Sequence, residues 1–600
     1  MFNRKNTQIT GDFIKKRLND LFIMIILIFA ILLVNLWYLQ IIKGHEYEQR
    51  AINNCIRSLE EEAPRGEVFD KDENLLITNR PAVNFTVIPA EIEDYHSLSY
   101  QISSIIPLEE SYLINKFEQL SQRPFQAQTI VRGLEKEQII AFEEQKYKYK
   151  GTLLTIQPER KYLYQDFAAH VLGYVNEISE EELQSSNYQY LSGGDIVGKS
   201  GIEKHYDAYL RGKKGSKEVE VDALGREILT LKSVEPVAGN DIYLTLDSEL
   251  QLYIQELMTG LRGAVMVSEA RTGKILAMIS QPGYDPNLFN QQISIEKWEE
   301  ISQSEENILC NRSIQGVYPP GSVFKLITAI AALEEGVVGL NDRVYCPGYF
   351  ELGNLTFKCW RETGHGTQTF RDAISNSCNV FFYTIGQRLG IDRLNHYATM
   401  FGLGEKTAID LPGELSGLVP SQEWKRRAFN QVWFPGDTIN LSIGQGYLLT
   451  TPFQIHNMLC IITNDGNVYR QFHVDRIVSQ SGQVIRKYEP EIIRKVDVSA
   501  DTFRVVKEGM KKVVEEGTGF NARVEGVSLA GKTGTAQNPQ GENHGWFVGF
   551  APYQNPEICV TVFVEHGGDG SQSAAPIASD IIEHYFRQTS GQAVQLKELQ

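Results

Sequence analysis

YPPGSVFKLITAIAALEEG, residues 318–336, reads as a turn that delivers the chain into a buried helix. Two prolines and a glycine precede a long apolar, alanine-rich run, which puts Ser322 in the first helical turn. Residues three apart on a helix share a face, with Cβ atoms roughly 5–6 Å apart. Lys325 can therefore lie against Ser322 and activate a hydroxyl that is otherwise a feeble nucleophile. Such a pair arises by chance in most chains of this length, so its meaning depends on what else the sequence supplies.

Two further motifs follow at the spacing of a composite site. Ser377-Cys378-Asn379, 55 residues beyond Ser322, sits where a loop enters a helix and can present Ser377 and Asn379 on one side. Ser377 suits a proton relay or a partner for the lysine, and Asn379 offers an amide to a substrate carbonyl or a neighbouring side chain. Lys532-Thr533-Gly534-Thr535, 155 residues beyond Ser377, lies on an expected edge strand. Alternation places Lys532 and Gly534 on one face, where the absent side chain of Gly534 would let a ligand lie close. A peptide could add there as an extra strand, its carboxylate near Lys532, Thr533 and Thr535. Plain structural readings are a helix-start serine, a helix cap at Ser377 and a phosphate-loop echo at Gly531-Lys532-Thr533. The last fails because the stretch continues as a strand instead of opening a helix.

Six hundred residues imply two or three folded units. A net charge of -17 and the lack of a basic stripe with interleaved aromatics argue against nucleic acid as a partner. Residues 21–42 carry no charge and are long enough to cross a bilayer as a helix. Arg4, Lys5, Lys15, Lys16 and Arg17 precede them, which predicts a cytoplasmic tail over 1–20 and export of the remainder. A cleaved signal peptide is the rival reading, weakened by the length of the run and the lack of an A-x-A-like site. Seven cysteines, Cys55 among them, are too few for a disulfide-built scaffold.

Residues 43–235 read as an elongated α+β pedestal. EEEAPRGEVFD (60–70) and EQIIAFEEQKYKYKG (137–151) suggest charged helices; AVNFTVIPA (82–90), GTLLTIQ (151–157) and the strand pair in KEVEVDALGREI suggest sheet. From 240 to 590 the pattern is strand, helix and hairpin, a helical middle to about 465, then strands in SLAGKTGTAQ, HGWFVGFAPY and ICVTVFVEHGG and a closing helix from about 575. Strands at both ends around a helical middle predict an α+β catalytic domain whose central antiparallel sheet is built from its two termini. Residues 591–600 form a polar tail. His544 and Trp546 are expected beside K-T-G, Trp546 equally in the core; His566 is read as structural, and Trp433 and Asp437 as ordering a cleft wall.

A third cluster lies between the first two motifs. Cys346, Cys359, His365 and Cys378, separated by twelve, five and twelve residues, supply a Cys₃His set suited to tetrahedral Zn²⁺. A Cys346–Cys359 disulfide, free thiols and a satisfied loop histidine at His365 are the alternatives.

The order S-x-x-K, S-x-N, K-T-G resembles that of penicillin-binding proteins and class A β-lactamases. With PRGEVFDKDENLL (64–76), HVLGYVN (170–176), GDIVGKSGIEKHYDAYLRG (194–212) and WFPGDTINLSIGQG (433–446), the chain resembles the class B penicillin-binding proteins, most closely the penicillin-binding protein 2 group. The resemblance implies a peptidoglycan D,D-transpeptidase of cell-wall elongation, fed by stem pentapeptides and inhibited covalently by β-lactams. Ser322 would be the acylated nucleophile, Lys325 its base and Ser377 the proton carrier. Asn379, Lys532, Thr533, Gly534 and Thr535 would bind substrate, and the amides of Ser322 and Thr535 would form the oxyanion hole. It also implies a single-pass inner-membrane protein with a periplasmic catalytic domain, an integral-membrane glycosyltransferase and other cell-shape proteins as partners, and no cofactor for the acyl transfer. Some relatives are similar in carrying zinc here; this sequence departs from them in its third thiolate and in the spacing of Cys346. A D,D-carboxypeptidase or β-lactamase, and a non-enzymatic sensor or scaffold, are the competing functions.

Overall fold

The computed structural model describes residues 5–48, 56–106, 108–120, 124, 127–221, 227–290, 293, 295–539 and 541–589. Cys55 and the expected tail at 591–600 lie outside them. The first helix, α1 (Lys5–Trp37), passes into a π-helical turn at Tyr38–Ile42. Among the described residues Phe13–Ile42 is the one helix long and apolar enough to cross a bilayer, and none of it is buried. The helix starts well before the expected span at 21, because nothing between Lys5 and Leu21 breaks it and Phe13, Ile14 and Leu18 extend its apolar surface.

Strands follow in two groups. β1 (Ile56–Glu61), β6 (Gly215–Val221) and β7 (Glu227–Val234) form a three-stranded sheet in the order β1-β6-β7. The stretch 60–70 is not the helix its charges suggested. After β1 it runs extended through Pro64 into β2 (Val68–Phe69), because Arg65 turns inward and leaves a helical face nothing to bury. β3 (Leu75–Val87) pairs antiparallel from Ile77 to Val87 with the whole of β5 (Thr152–Tyr162), Val83 opposite Ile156, and β4 (Gln128–Val131) lies on the other side of β3. Gly173, Gly198 and Gly201 allow close backbone packing: a Cβ on Gly173, at φ +79°, would stand 1.9 Å from the Ser200 carbonyl oxygen.

Across the boundary expected near 235–240 the two units share a sheet. β8 (Asp241–Leu244) pairs in parallel with β2 of the pedestal and antiparallel with β11 (Val474–Val478), which pairs in turn with β12 (Val484–Lys487). The result is a seven-stranded sheet, β12-β11-β8-β2-β3-β4 with β5 on β3. Asp410 reinforces the junction, accepting from the Tyr206 hydroxyl at 3.0 Å, the His473 ring at 2.8 Å and the Val474 amide at 3.2 Å. One apolar core accordingly runs from Val68, Ile77 and Ile202 to Ile327 and Leu459. Hydrophobic period shows a four-residue strand but not which chain segments will flank it.

The catalytic unit follows the expected plan. β9 (Gly263–Glu269) and β10 (Ile275–Gln281) form the hairpin, and β13 (Ala530–Ala536), β14 (His544–Ala551) and β15 (Ile558–Val564) complete an antiparallel sheet in the order β10-β9-β15-β14-β13. α2 (Ser248–Leu257) and α8 (Ala574–Thr589) bury Leu250, Ile254, Ala578 and Ile581 against one face. α3 (Lys325–Glu334), α5 (Asn379–Met400), α6 (Pro452–Thr463) and α7 (Ala500–Glu516) belong to the core on the other. β13 is left at the edge.

A buried ion network holds the pedestal beneath this unit. Glu203, fully buried, accepts from Arg65 and Arg160 at 2.6 Å each, and Arg65 also reaches Asp207 at 2.9 Å. Burial pushes the Glu203 carboxyl up, but the two guanidiniums outweigh it and hold it below its ordinary range. Replacing it by alanine leaves buried Arg160 without a carboxylate and Arg65 with Asp207 alone. Glu203→Ala should lower stability by about 3–5 kcal/mol, read as a fall in thermal midpoint; a change indistinguishable from surface variants would refute this role.

Candidate active site

Ser322 lies in a 3₁₀ turn, Gly321–Phe324, that leads directly into α3. The turn is clamped from both sides. Gly321, at φ +54°, donates its N–H to the Gly444 carbonyl at 2.9 Å, and a Cβ on Gly321 would stand 2.7 Å from the Thr535 carbonyl oxygen. The Trp546 indole donates to the Pro319 carbonyl at 3.1 Å. Ser322 remains partly exposed while the ten residues that follow it are buried, so it stands on a rigid base.

Lys325 is wholly buried, and its amine crosses to the second motif. Nζ donates to the Ser377 carbonyl at 2.8 Å and to Asn379 Oδ1 at 2.6 Å, and lies 3.1 Å from Ser377 Oγ. Local structure explains the receiving geometry. α4 (Phe370–Ser375) starts with a reciprocal cap between Thr369 and Asp372, the chain then enters the left-handed region at Ser377 (φ +50°), and Cys378 caps α5. Burial lowers the Lys325 pKa to about 8, against the opposing influence of the Cys378 and Cys359 thiols. At that value about a tenth of the amine is neutral at pH 7, roughly a hundredfold or more above a free lysine.

The third motif lies on β13 as expected. Residues 526–533, GVSLAGKT, do satisfy the spacing of a phosphate-binding loop, but Lys532 sits inside a strand, so that reading fails on structure. Lys532 is buried and donates to the Thr533 carbonyl at 2.9 Å; burial, then the charge of Lys325, push its pKa well down. Thr533 pairs with the Thr518 hydroxyl at 2.7 Å, and Thr535 donates to Asp569 Oδ1 at 3.1 Å. Gly534 corrects an expectation. A Cβ there would meet Val323 Cγ2 at 2.9 Å and Trp546 Cβ at 3.0 Å, so its missing side chain makes room for the serine turn and not for a ligand.

The ligand atoms of Cys346, Cys359, His365 and Cys378 all lie within 4.8 Å of one another. His365 Nδ1 is 3.6 Å from Cys346 Sγ and 3.5 Å from Cys359 Sγ. A tetrahedral ion at Zn–S of about 2.3 Å and Zn–N of about 2.05 Å separates such ligands by roughly 3.6 Å. The residues therefore fit Zn²⁺, with all three sulfurs buried and none in a disulfide. Antiparallel pairing of 344–346 with 366–368 brings Cys346 into the group despite its spacing.

Other positions resolve as follows. Trp546 is core; His544 is buried and its Nδ1 accepts the His566 amide at 3.1 Å. Asp437 accepts the Lys425 amine and the Phe434 amide, and Trp433 donates to Thr438 at 2.8 Å. Trp360, Thr518 and Asp569 were not singled out from the sequence. Trp360 donates to the carbonyls of Asn376 and Ser377, at 3.1 and 3.2 Å, and its only signal was adjacency to Cys359. Thr518 and Asp569 lie in glycine-bearing turns without a motif.

Comparison with known proteins agrees with this architecture. Residues 263–583 match the penicillin-binding protein transpeptidase domain, and residues 60–244 the penicillin-binding protein dimerisation domain. The chain is 34% identical to the peptidoglycan D,D-transpeptidase MrdA of Haemophilus influenzae over 94% of its own length and 91% of the relative's. It superposes with a TM-score of 0.76 at 29% identity on penicillin-binding protein PBP2 of Helicobacter pylori, solved in complex with MreC, covering 90% of this chain and all of that one. A chain of a peptidoglycan synthase complex that coordinates polymerization and crosslinking aligns with a TM-score of 0.69 at 30% identity, over 97% of this chain and all of its own. Matches of this extent across both domains mean that the chain belongs to the class B penicillin-binding proteins, in the penicillin-binding protein 2 group.

Proposed function

We propose that this chain is a serine-type peptidoglycan D,D-transpeptidase that cross-links stem peptides during cell-wall elongation. The observation that carries the reading is the buried Lys325 amine, held between Ser377 and Asn379 with its pKa drawn down to about 8. Neutral Lys325 takes the Ser322 proton as Oγ attacks the carbonyl of the D-Ala-D-Ala bond. The backbone amides of Ser322 and Thr535 receive the oxyanion, a role supported by the close approach of the serine turn to Thr535. The Oγ–C bond forms, the C–N bond breaks, and Ser377 passes the proton to the departing D-alanine amine. An acceptor amine then attacks the ester; its nitrogen takes the acyl carbon, the Oγ–C bond breaks and Ser322 recovers its proton. Asn379 binds the donor's backbone, while Lys532, Thr533 and Thr535 anchor its terminal carboxylate.

In this reading α1 crosses the inner membrane, with the N-terminus in the cytoplasm and the catalytic unit in the periplasm. The MreC complex of the Helicobacter relative and the synthase complex support a cell-shape protein and an integral-membrane glycosyltransferase as partners. Acyl transfer itself uses no cofactor. A structural Zn²⁺ held by Cys346, Cys359, His365 and Cys378 would tie the segment 344–368 to the residue between Ser377 and Asn379, fixing both without entering the reaction.

Three measurements test these assignments. Ser322→Ala should abolish covalent labelling by penicillin, and a labelled variant would overturn the nucleophile. The acylation rate of the unaltered chain should rise with pH, half-maximal near the pKa of about 8 and falling about tenfold per unit below it, because only neutral Lys325 is a base. A rate independent of pH between about 6 and 8 would refute that assignment. Protein purified without chelator should carry about one zinc per chain by atomic emission; below about 0.3 the metal site falls.

A further inference from the structure

The turn between β15 and α8 holds a carboxylate against the end of the substrate-binding strand. Asp569 Oδ1 accepts the Ser571 amide at 3.0 Å and the Thr535 hydroxyl at 3.1 Å. Its own carbonyl accepts from the amides of Gln572 and Ser573, so the turn fixes the direction of the side chain. Gly570 sets the distance: a Cβ there would stand 2.2 Å from the Gly534 carbonyl oxygen and 2.4 Å from that of Trp546, so the turn lies directly on β13 and β14. Asp569 is itself exposed.

A threonine hydroxyl carries one proton. Donated to Asp569, it leaves Thr535 only lone pairs, which a ligand carboxylate cannot use. To be held there, an anionic ligand must take that proton from Asp569 and endure a like charge close by. The cation on this strand, Lys532, is wholly buried and turned to the Thr533 carbonyl, whereas Asp569 bonds Thr535 directly.

We infer that Asp569 is a specificity-determining residue of the transpeptidase site, one that competes with the ligand's terminal carboxylate for Thr535 and so weakens selection for an anionic group at this end of the cleft. The inference rests on the proposed role of Thr535 as carboxylate anchor.

The test compares acylation of the full-length chain by benzylpenicillin, which is anionic, and by its neutral methyl ester. Asp569→Asn keeps an oxygen for the Ser571 amide and for Thr535 but removes the charge. It should raise the second-order rate with the acid about 3- to 10-fold and leave the ester within about twofold, and the gain should shrink in high salt. Equal effects on both ligands, or none on the acid, would overturn the inference. Thr535→Val separates the two layers: slower acylation by the acid alone upholds the anchor, whereas no change with the acid removes the anchor and this inference with it.

Discussion

The active site depends on keeping one lysine amine out of water. A buried ammonium is costly unless it is hydrogen-bonded, and a buried amine is a usable base because the charged form is disfavoured. Lys325 meets both demands: three oxygens of Ser377 and Asn379 surround Nζ, and the Phe382 ring lies 5.5 Å away. One stretch, the turn at Ser377 and the start of α5 through Phe382, supplies that whole shell to a lysine on α3, and most local features around the site hold those two elements together.

Backbone closeness is the means. Gly321, Gly444 and Gly534 each stand where a Cβ would collide with a neighbouring strand, turn or side chain. Removing side-chain bulk at those points lets the serine turn rest on the strand that is read as presenting Lys532 and Thr535. The strained left-handed Ser377 is stabilised from outside by Trp360, whose indole donates to the same carbonyl that receives the Lys325 amine. The cysteine and histidine group sits just behind this contact, with Cys378 between the two residues that hold the amine.

Much of this was legible in the sequence, and what was not has a common cause. Ser322, Lys325, Ser377, Asn379 and Lys532 could be named from motif order, and the β9–β10 hairpin and the three closing strands from alternation. Period and composition describe one segment at a time. They could not show that β8 would be gripped between strands from 68–69 and 474–478, or that charged 60–70 would run extended because Arg65 has buried carboxylates to reach. Gly534 was read for its missing side chain, correctly, but the neighbour that needs the space is Val323. Trp360 and Asp569 act through carbonyl and hydroxyl partners distant in sequence, and such pairings leave no periodic trace.

The shared strand β8 has a mechanical consequence. A linker between two domains acts as a pivot, whereas here hydrogen bonds join the pedestal and the C-terminal half of the catalytic unit across a single ribbon. The pairs Val68–Ile242 and Phe69–Tyr243 and the ladder from 241–244 to 474–478 place main-chain bonds where a linker would hinge, with the His473–Asp410 pair beside them. The junction is in that respect a seam and not a joint.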